Sequence, residues 1–431
     1  MPSGYSFTKI VFNKANTSFG SNRFLYFMST SISTERETFR LSMLLNDKRY
    51  RSYTFQFFAL LVLICIIAYL GKNLVENLAK AGLNISYGFL EDPAGYDINQ
   101  RLIEYNSQSS HLRAAFVGVL NTLLVAFLGC IMATVLGVTA GILRLSNNWI
   151  VAKLMTIYVE IFRNVPILIW ILIISSIFMG VLPQPRAFRG ENPEATMLWD
   201  MFAFTGRGVY TPGPIFFEGS LVVVGTFVLS IVSIFAFRRY ARRKLYSEGK
   251  VIKTSWISLL LFFIPTIIVF YALGSPIGLE YPELKGFNFK GGIYARGSLI
   301  SLWFALSIYT GAFIAEVVRA GIQSVDKGQT EAAAALGLRS NFIMNLVVLP
   351  QALRVIIPPM ISFYLNITKN SSLALAVGYM DITSTLGGIT LNQTGRAIEA
   401  VLLLMLFYLA ISLSISAVMN VYNRSVMLKE R

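Results

Sequence analysis

Ionisable side chains occur at three places inside or beside long apolar stretches of this sequence. Two of these places hold a glutamate and an arginine three positions apart, which puts both side chains on one face of a helix. At the third place a lysine and an aspartate flank an apolar piece that is too short to cross a bilayer. The set consists of Glu160, Arg163, Glu316, Arg319, Lys369 and Asp381. Charges in apolar surroundings either pair with one another or contact a polar solute, so both interpretations stay open.

The remaining candidates for chemistry do not form a catalytic or metal-binding pattern. Cys65 and Cys130 both fall within apolar runs, so neither a disulfide framework nor a paired thiol metal site is indicated. His111 has no histidine or cysteine near it in the sequence, and we predict a surface histidine rather than a ligand. The phosphate-binding pattern G-x-x-x-x-G-K-[ST] is absent, so we expect no ATPase, no catalytic residue, no metal and no cofactor in this chain.

The composition is that of a membrane protein. Of the 431 residues, 55% are hydrophobic and only 14% are charged, and the mean hydropathy is +0.61. We therefore predict an all-α polytopic fold that lies in a lipid bilayer. The net charge of +15 would suit a nucleic-acid partner, but the basic residues cluster in loops beside apolar runs. In such positions they set membrane topology, so we expect no nucleic acid.

The apolar runs predict about eight membrane-spanning helices. They cover residues 54–70, 115–143, 155–182, 219–237, 255–273, 297–318, 345–368 and 397–422. Basic residues precede the first run, follow the fourth and follow the eighth, so the positive-inside rule predicts that both termini are cytoplasmic. Residues 183–217 and 274–296 are then predicted to be irregular outer loops.

Three parts of the sequence predict interrupted helices. In the third span, Pro166 predicts a kink or a helix restart. The seventh span is expected to break at Pro350, Pro358 and Pro359, because proline removes a backbone donor and membrane helices tolerate this only beside neighbours or water. Residues 366–388, which include Lys369 and Asp381, predict a re-entrant or partly inserted helix.

The polar stretch 327–350, KGQTEAAAALGLRSNFIMNLVVLP, predicts two short surface helices joined at Gly337. An ordinary amphipathic loop helix is the alternative. The order Glu-Ala-Ala, three residues, glycine, nine residues, an aliphatic residue, one residue and Leu-Pro resembles the EAA loop of ABC-importer permeases. The aliphatic position, usually isoleucine in that family, is Val347 here. The resemblance implies docking on an ATP-binding subunit through Glu331, Ala332, Ala333, Gly337 and Arg339.

Other motifs extend this resemblance along the chain. They are NTLLVAF, YVEIFRNVP, GAFIAEVVRAGI, LPQALRVIIPP and NITKNSSLALAVG, in that order. Together they are similar to the five-helix core of type I permeases of the polar amino-acid (histidine-permease-like) family. The extra first helix with its LNDKRYRS lead-in and the inserted fourth and fifth helices resemble the larger permease of general L-amino-acid and glutamate/glutamine/aspartate/asparagine importers. Residues 1–40 are not covered by the resemblance.

The resulting organisation has six segments. They are 1–53, a cytoplasmic tail; 54–114, the extra helix and a periplasmic loop; 115–182, core helices one and two; 183–296, the inserted helix pair with periplasmic loops; 297–422, core helices three to five with coupling loop 327–342; and 423–431, a cytoplasmic tail.

The resemblance implies an ATP-driven importer of polar L-amino acids in the bacterial inner membrane. The implied partners are an ABC ATP-binding subunit, which carries ATP and magnesium, a second permease in a heterodimer, and a periplasmic amino-acid-binding protein. The implied substrate pathway contains Asn366, Lys369, Asn370, Ser371, Ser372 and Asp381. Glu160 with Arg163, and Glu316 with Arg319, are expected to be gate residues or structural ion pairs.

Two other functions remain possible on the residues alone. An ion-coupled secondary transporter would show an inverted repeat, which we do not find, although Asp381 near broken backbone suits an ion site. A non-transporting scaffold or receptor would have no polar pathway. The predicted coupling loop separates the importer from both, whereas the preferred amino acid and the choice between homodimer and heterodimer stay open.

Overall fold

The structure is a computed structural model and describes residues 45, 47–80, 82, 84–190, 193–248, 252 and 254–426. The chain divides into two compact units, Met1–Asn84 and Ile85–Arg431. The first unit contains the long helix α1 (Lys48–Lys80). Its first turns include the basic residues that the sequence places ahead of the first span, so the helix begins earlier than predicted. Residues 1–40 lie outside the described residues.

The second unit is built mainly from helices. They are α2 (His111–Leu143), α3 (Trp149–Asn164), α4 (Ile167–Val181), α5 (Ser220–Glu248), α6 (Thr254–Ala272), α7 (Gly297–Gln323), α8 (Lys327–Ala335), α9 (Ser340–Ile343), α10 (Leu349–Asn370), α11 (Leu391–Thr394) and α12 (Ala397–Val426). Within the described residues, eight helical stretches are long and apolar enough to cross a membrane. The predicted polytopic helical fold and its helix number are confirmed.

The third predicted span, 155–182, is wrong at its start, whereas the helix restart predicted at Pro166 is confirmed. Helix α3 ends at Asn164, and Pro166 then caps a new helix, α4. Proline lacks a backbone donor and suits the beginning of a helix better than its interior. The membrane-spanning stretch is therefore Ile167–Phe188, and α3 is a separate amphipathic helix ahead of it.

The seventh predicted span also differs in its breaks. Helix α10 continues through Pro358 and Pro359, and a π-helical turn, Met344–Val348, precedes its start beside Pro350. Ile356 and Ile357, just ahead of the proline pair, are buried in the core. Neighbouring helices therefore support this part of α10, although two backbone donors are missing.

The predicted irregular outer loops contain seven short strands. They are β1 (Ala203–Thr205), β2 (Gly208–Thr211), β3 (Gly213–Phe216), β4 (Ile277–Glu280), β5 (Glu283–Lys285), β6 (Asn288–Lys290) and β7 (Ile293–Arg296). They form the antiparallel sheets β1-β2-β7, β3-β4 and β5-β6. Because β2 pairs with β7 and β3 with β4, the two loops that flank the packed pair α5 and α6 are joined to each other.

Helix α7 lies at the centre of the second unit and packs against α2, α3, α4 and α10. Its contact with α2 is close. A Cβ added at Gly137 would lie 2.5 Å from Cβ of Ile314, and one added at Gly141 would lie 2.7 Å from the carbonyl oxygen of Ala315. The glycines of α2 therefore let these two membrane helices approach closely.

Candidate functional site

The loop after α7 folds into two short helices joined at Gly337, as the sequence predicts. The carboxylate of Asp326 accepts a hydrogen bond from the Gly328 N–H at 2.7 Å and caps the start of α8. At its end Gly337 has φ +78°, and its N–H donates to the carbonyl of Ala334 at 2.9 Å. This left-handed residue ends α8 and turns the chain towards α9.

The surface of this loop is apolar with charged residues beside it. Leu336, Phe342 and Leu346 are 82%, 55% and 64% exposed. Among the predicted coupling residues, Glu331, Ala332, Gly337 and Arg339 are exposed, whereas Ala333 is buried against the rest of the protein. An exposed apolar surface of this kind, held on a pair of short helices, suits docking by another protein.

In the stretch 366–388, predicted to be a re-entrant or partly inserted helix, residues 366–370 still belong to α10 and the chain after Asn370 is irregular. A 3₁₀ helix (Ser371–Val377) leads to Gly378 in the left-handed conformation, and a π-helical stretch (Thr383–Thr390) follows. The predicted pathway residues differ in exposure, although Ser371 and Asp381 both lie beside the Tyr408 hydroxyl. Asn366 and Lys369 are exposed, Asn370 and Ser372 are half-buried, and Ser371 and Asp381 are buried.

The Asp381 carboxylate accepts hydrogen bonds from Ser384, three residues further on, and from Tyr408 of α12. One carboxylate oxygen accepts hydrogen bonds from the backbone N–H and the hydroxyl of Ser384, at 2.9 and 3.0 Å. The other accepts from the Tyr408 hydroxyl at 3.2 Å. The side chain is fully buried, whereas Lys369 is exposed. The two charges that flank the apolar piece in the sequence therefore lie in different surroundings.

The irregular stretch Ser371–Thr390, which we call the broken segment, packs on polar residues of α2. These α2 residues belong to the motif NTLLVAF and were not predicted as site residues. The Asn121 amide donates to the carbonyl of Met380 at 2.8 Å, and the Tyr379 hydroxyl donates to the carbonyl of Asn121 at 3.0 Å. Thr122 accepts from the backbone N–H of Ile382 at 3.2 Å. The informative feature was an asparagine and a threonine within an apolar run, because buried polar groups need partners.

We expect Gly118→Ala to push this segment away from α2. An added Cβ would lie 2.2 Å from the hydroxyl of Thr385 and 2.9 Å from Cα of Ile382. Overpacking of this kind costs about 1–3 kcal/mol, so thermal stability in detergent and uptake should both fall. The control is Gly180→Ala, because no atom lies within 4 Å of its added Cβ. Equal tolerance of both substitutions would mean that the segment does not depend on this contact.

His111 is not a surface residue, so that prediction is wrong. It is only 4% exposed, and its Nδ1 lies 3.0 Å from the Thr390 hydroxyl. The rings of Phe89 and Tyr96 pack on it with centroids 6.3 Å away. These aromatic residues belong to the loop before α2, which folds over the helix start. Among the described residues, no three His, Cys, Asp or Glu side chains come together to hold a metal ion.

A cluster of one carboxylate and three guanidinium groups lies where α2, α3 and α7 meet. Glu316 binds Arg319 at 2.6 Å and Arg163 at 3.6 Å, and it also binds Arg144. The guanidinium of Arg163 also lies over the ring of Phe313, 5.3 Å from the centroid. The predicted pairing of Glu316 with Arg319 is confirmed.

The predicted pairing of Glu160 with Arg163 is wrong. Glu160 is exposed and accepts a long hydrogen bond, 3.4 Å, from the amide of Asn164. Arg163 stands at the end of α3, beside α7, and reaches across to Glu316 instead. Helix spacing permits Arg163 to pair with Glu160 within α3. The packing of α3 on α7 instead brings Arg163 to Glu316, the less exposed of the two carboxylates.

Comparisons with known proteins place these features in a family. The model of the family described as "Binding-protein-dependent transport system inner membrane component" matches residues 234–428. The glutamate/glutamine/aspartate/asparagine transport system permease protein BztB of Rhodobacter capsulatus is 47% identical over 428 residues, which is 94% of this chain and 100% of that protein. The general L-amino acid transport system permease protein AapQ of Rhizobium johnstonii is 42% identical over 385 residues, 89% of this chain and 94% of that protein.

A solved structure, described as an amino acid ABC transporter with histidines, is 18% identical and covers 73% of this chain and 95% of its own, with a TM-score of 0.42. The two sequence relatives carry the conclusion, because both align over nearly their whole length. This chain belongs to the family of amino-acid ABC transporter permeases.

Proposed function

We propose that this protein is the membrane-spanning subunit through which an ATP-driven importer takes up polar L-amino acids. Glutamate, glutamine, aspartate and asparagine are the first candidates, because the relative with 47% identity is named for their transport. The observation that carries the proposal is the exposed helix pair Lys327–Ala335 and Ser340–Ile343 on a chain of this family.

The partners follow from the same loop and family. An ATP-binding subunit would dock on the exposed apolar surface around Leu336 and Phe342 and would carry ATP and magnesium, so no ATPase activity is assigned to this chain. A second, different permease would complete the pathway. A periplasmic binding protein would deliver the amino acid, in line with the description of the matching family model. The basic flanks of the spans support cytoplasmic termini.

Helix α7 supplies a mechanical route from the docking loop into the membrane. It runs without interruption to Gln323, four residues before α8 begins, and α8 also contacts the turn Met344–Val348 ahead of α10. Movement of α8 with the ATPase would therefore pull on two core helices at once. Since α7 packs backbone to backbone on α2, we expect the helices to rock as a group between inward- and outward-facing states.

The test is purification of the tagged protein from its native membrane in mild detergent, followed by reconstitution in liposomes. We expect an ATP-binding subunit and a second permease to co-elute. Uptake of labelled glutamate, glutamine and aspartate should then require ATP and the binding protein. A chain that elutes alone and transports on an ion gradient would contradict the proposal.

A further inference from the structure

A cavity of about 690 Å³ lies where the inserted loops meet the helical core. Its walls include the turn between β1 and β2, the first residues of α7, residues Ser175 and Met179 of α4, and the turn at Val377 and Gly378 that follows the 3₁₀ helix. The carbonyl oxygen of Arg207 in that turn accepts a hydrogen bond from the Gly297 N–H at 2.9 Å, which fixes the turn to α7. The volume falls in the range of small-molecule sites, about 300–1,000 Å³.

The lining of this cavity is positive. It contains Arg207 and Arg296, and no aspartate or glutamate belongs to the described lining. Helix α7, 27 residues long, begins at this wall with no side-chain cap and no acidic residue in its first turn. The N–H groups at the start of a long helix favour an anion, and two nearby guanidinium groups strengthen that preference.

An unpaired hydroxyl provides separate evidence for a ligand. Ser175 of α4 is 4% exposed and lines the cavity. None of the hydrogen bonds found within the described residues involves its side chain, and its oxygen keeps some accessible surface, so it is free to bind a ligand. Across the cavity Gly378 is left-handed, at φ +69°, with no atom within 4 Å of an added Cβ. The cavity is therefore open at Gly378.

We infer that this cavity binds the carboxylate group of an amino acid before the amino acid enters the pathway. The two arginines and the α7 N-terminus would hold the carboxylate, and Ser175 would bind its second oxygen. The side-chain carbonyl of Asn99, which also lines the cavity, offers an acceptor for the ammonium group. The inference rests on the proposed function and adds a site to it. A second carboxylate would bind more tightly, so acidic amino acids should be preferred.

The cavity and the coupling loop lie at opposite ends of α7. A helix of 27 residues is about 40 Å long at 1.5 Å per residue. The positive-inside rule predicts that the loops around the cavity face outward, where an amino acid arrives. The site is therefore separate from the surface that would bind the ATPase, and substitutions in the two places can be tested independently.

The experiment measures equilibrium binding of labelled glutamate to the purified complex in detergent, without any binding protein. We expect saturable binding that glutaminamide, which lacks a carboxylate, does not displace. The double variant Arg207→Gln/Arg296→Gln should weaken the affinity at least tenfold, and Ser175→Ala should weaken it a few-fold. The matched control is Arg189→Gln, an exposed arginine of the same loops whose guanidinium lies over the ring of Phe287 and outside the cavity.

Two outcomes would overturn the inference. They are the lack of saturable binding to the wild-type complex and wild-type affinity in the double variant. In the second case, weaker docking of the loaded binding protein to the double variant, measured separately, would assign the arginines to docking of that protein instead. Co-elution of the ATP-binding subunit with each variant shows that the complex is assembled. If only this inference fails, the proposed function still stands. If the ATP-binding subunit does not co-elute with the wild type, the proposed function fails.

Discussion

We expect Gly337→Arg to abolish ATP-driven uptake and to remove the ATP-binding subunit from the purified complex. Gly337 has φ +78°, and no atom lies within 4 Å of an added Cβ. The left-handed conformation costs an L-residue about 1–2 kcal/mol, but the new side chain meets no neighbour. The permease should therefore stay folded, with a long charged side chain projecting from the surface that would contact the ATPase.

The measurement is the amount of ATP-binding subunit that co-elutes with the tagged permease, together with ATP-dependent uptake in liposomes. The matched control is Gly286→Arg in the turn between β5 and β6. Gly286 has φ +71° and equally open surroundings, but it belongs to the inserted loops. Both variants carry the same backbone strain and the same added charge. If Gly286→Arg loses the ATPase as well, strain rather than docking explains the effect, and the coupling role of the loop is wrong.

The sequence predicted this loop because its structure is local. A helix rich in alanine, a left-handed glycine and a second short helix are fixed by residues within a few positions of each other. The number of membrane-spanning helices was predictable for the same reason, because the length and composition of each apolar run are enough to indicate a span. An interruption of the helix near Asn370 was also predictable, since polar residues and glycines flank an apolar stretch that is too short to span.

The misjudged residues are those whose partners lie far away in the chain. Arg163 is three positions from one glutamate in sequence, but α3 packs on α7 and brings a different one, Glu316, within 3.6 Å. His111 is isolated in the sequence and yet is buried, because Phe89 and Tyr96 fold over it. Neither result follows from the periodicity of the sequence. Each depends on which elements pack together, and the sequence pattern does not determine this.

The inserted loops illustrate the same limit. Residues 183–217 and 274–296 carry many glycines and prolines, which predict irregular loops, but strands from the two loops pair across the α5–α6 helix pair. The carboxylate cavity depends on this pairing, because β2 and β7 bring Arg207 beside Arg296. Only the folded chain brings these two arginines to Ser175, so the cavity was not predictable from spacing.

Glu316→Gln should lower the stability of the permease far more than the same change at the exposed Glu160. Glu316 is the only carboxylate bound to Arg144, Arg163 and Arg319 among the described residues. The Arg144 side chain is 8% exposed and that of Glu316 is 25% exposed, so water compensates poorly for the lost charge. Leaving a buried charge without its partner costs about 3–5 kcal/mol, and the partial exposure of Glu316 favours the lower end.

Thermal unfolding of the purified complex in detergent, at a fixed heating rate, measures this effect. The control is Glu160→Gln, because Glu160 is exposed and Arg163 does not bind it; its stability should stay within about 0.5 kcal/mol of the wild type. Adding Arg163→Gln to Glu316→Gln should restore part of the loss, because one of three mutually repelling guanidinium groups is then removed. Repulsion among the arginines, rather than loss of packing, is the mechanism that this double variant isolates. If Glu160→Gln proves the more damaging change and Glu316→Gln is tolerated, Arg163 pairs within its own helix and the three-helix cluster does not stabilise the protein.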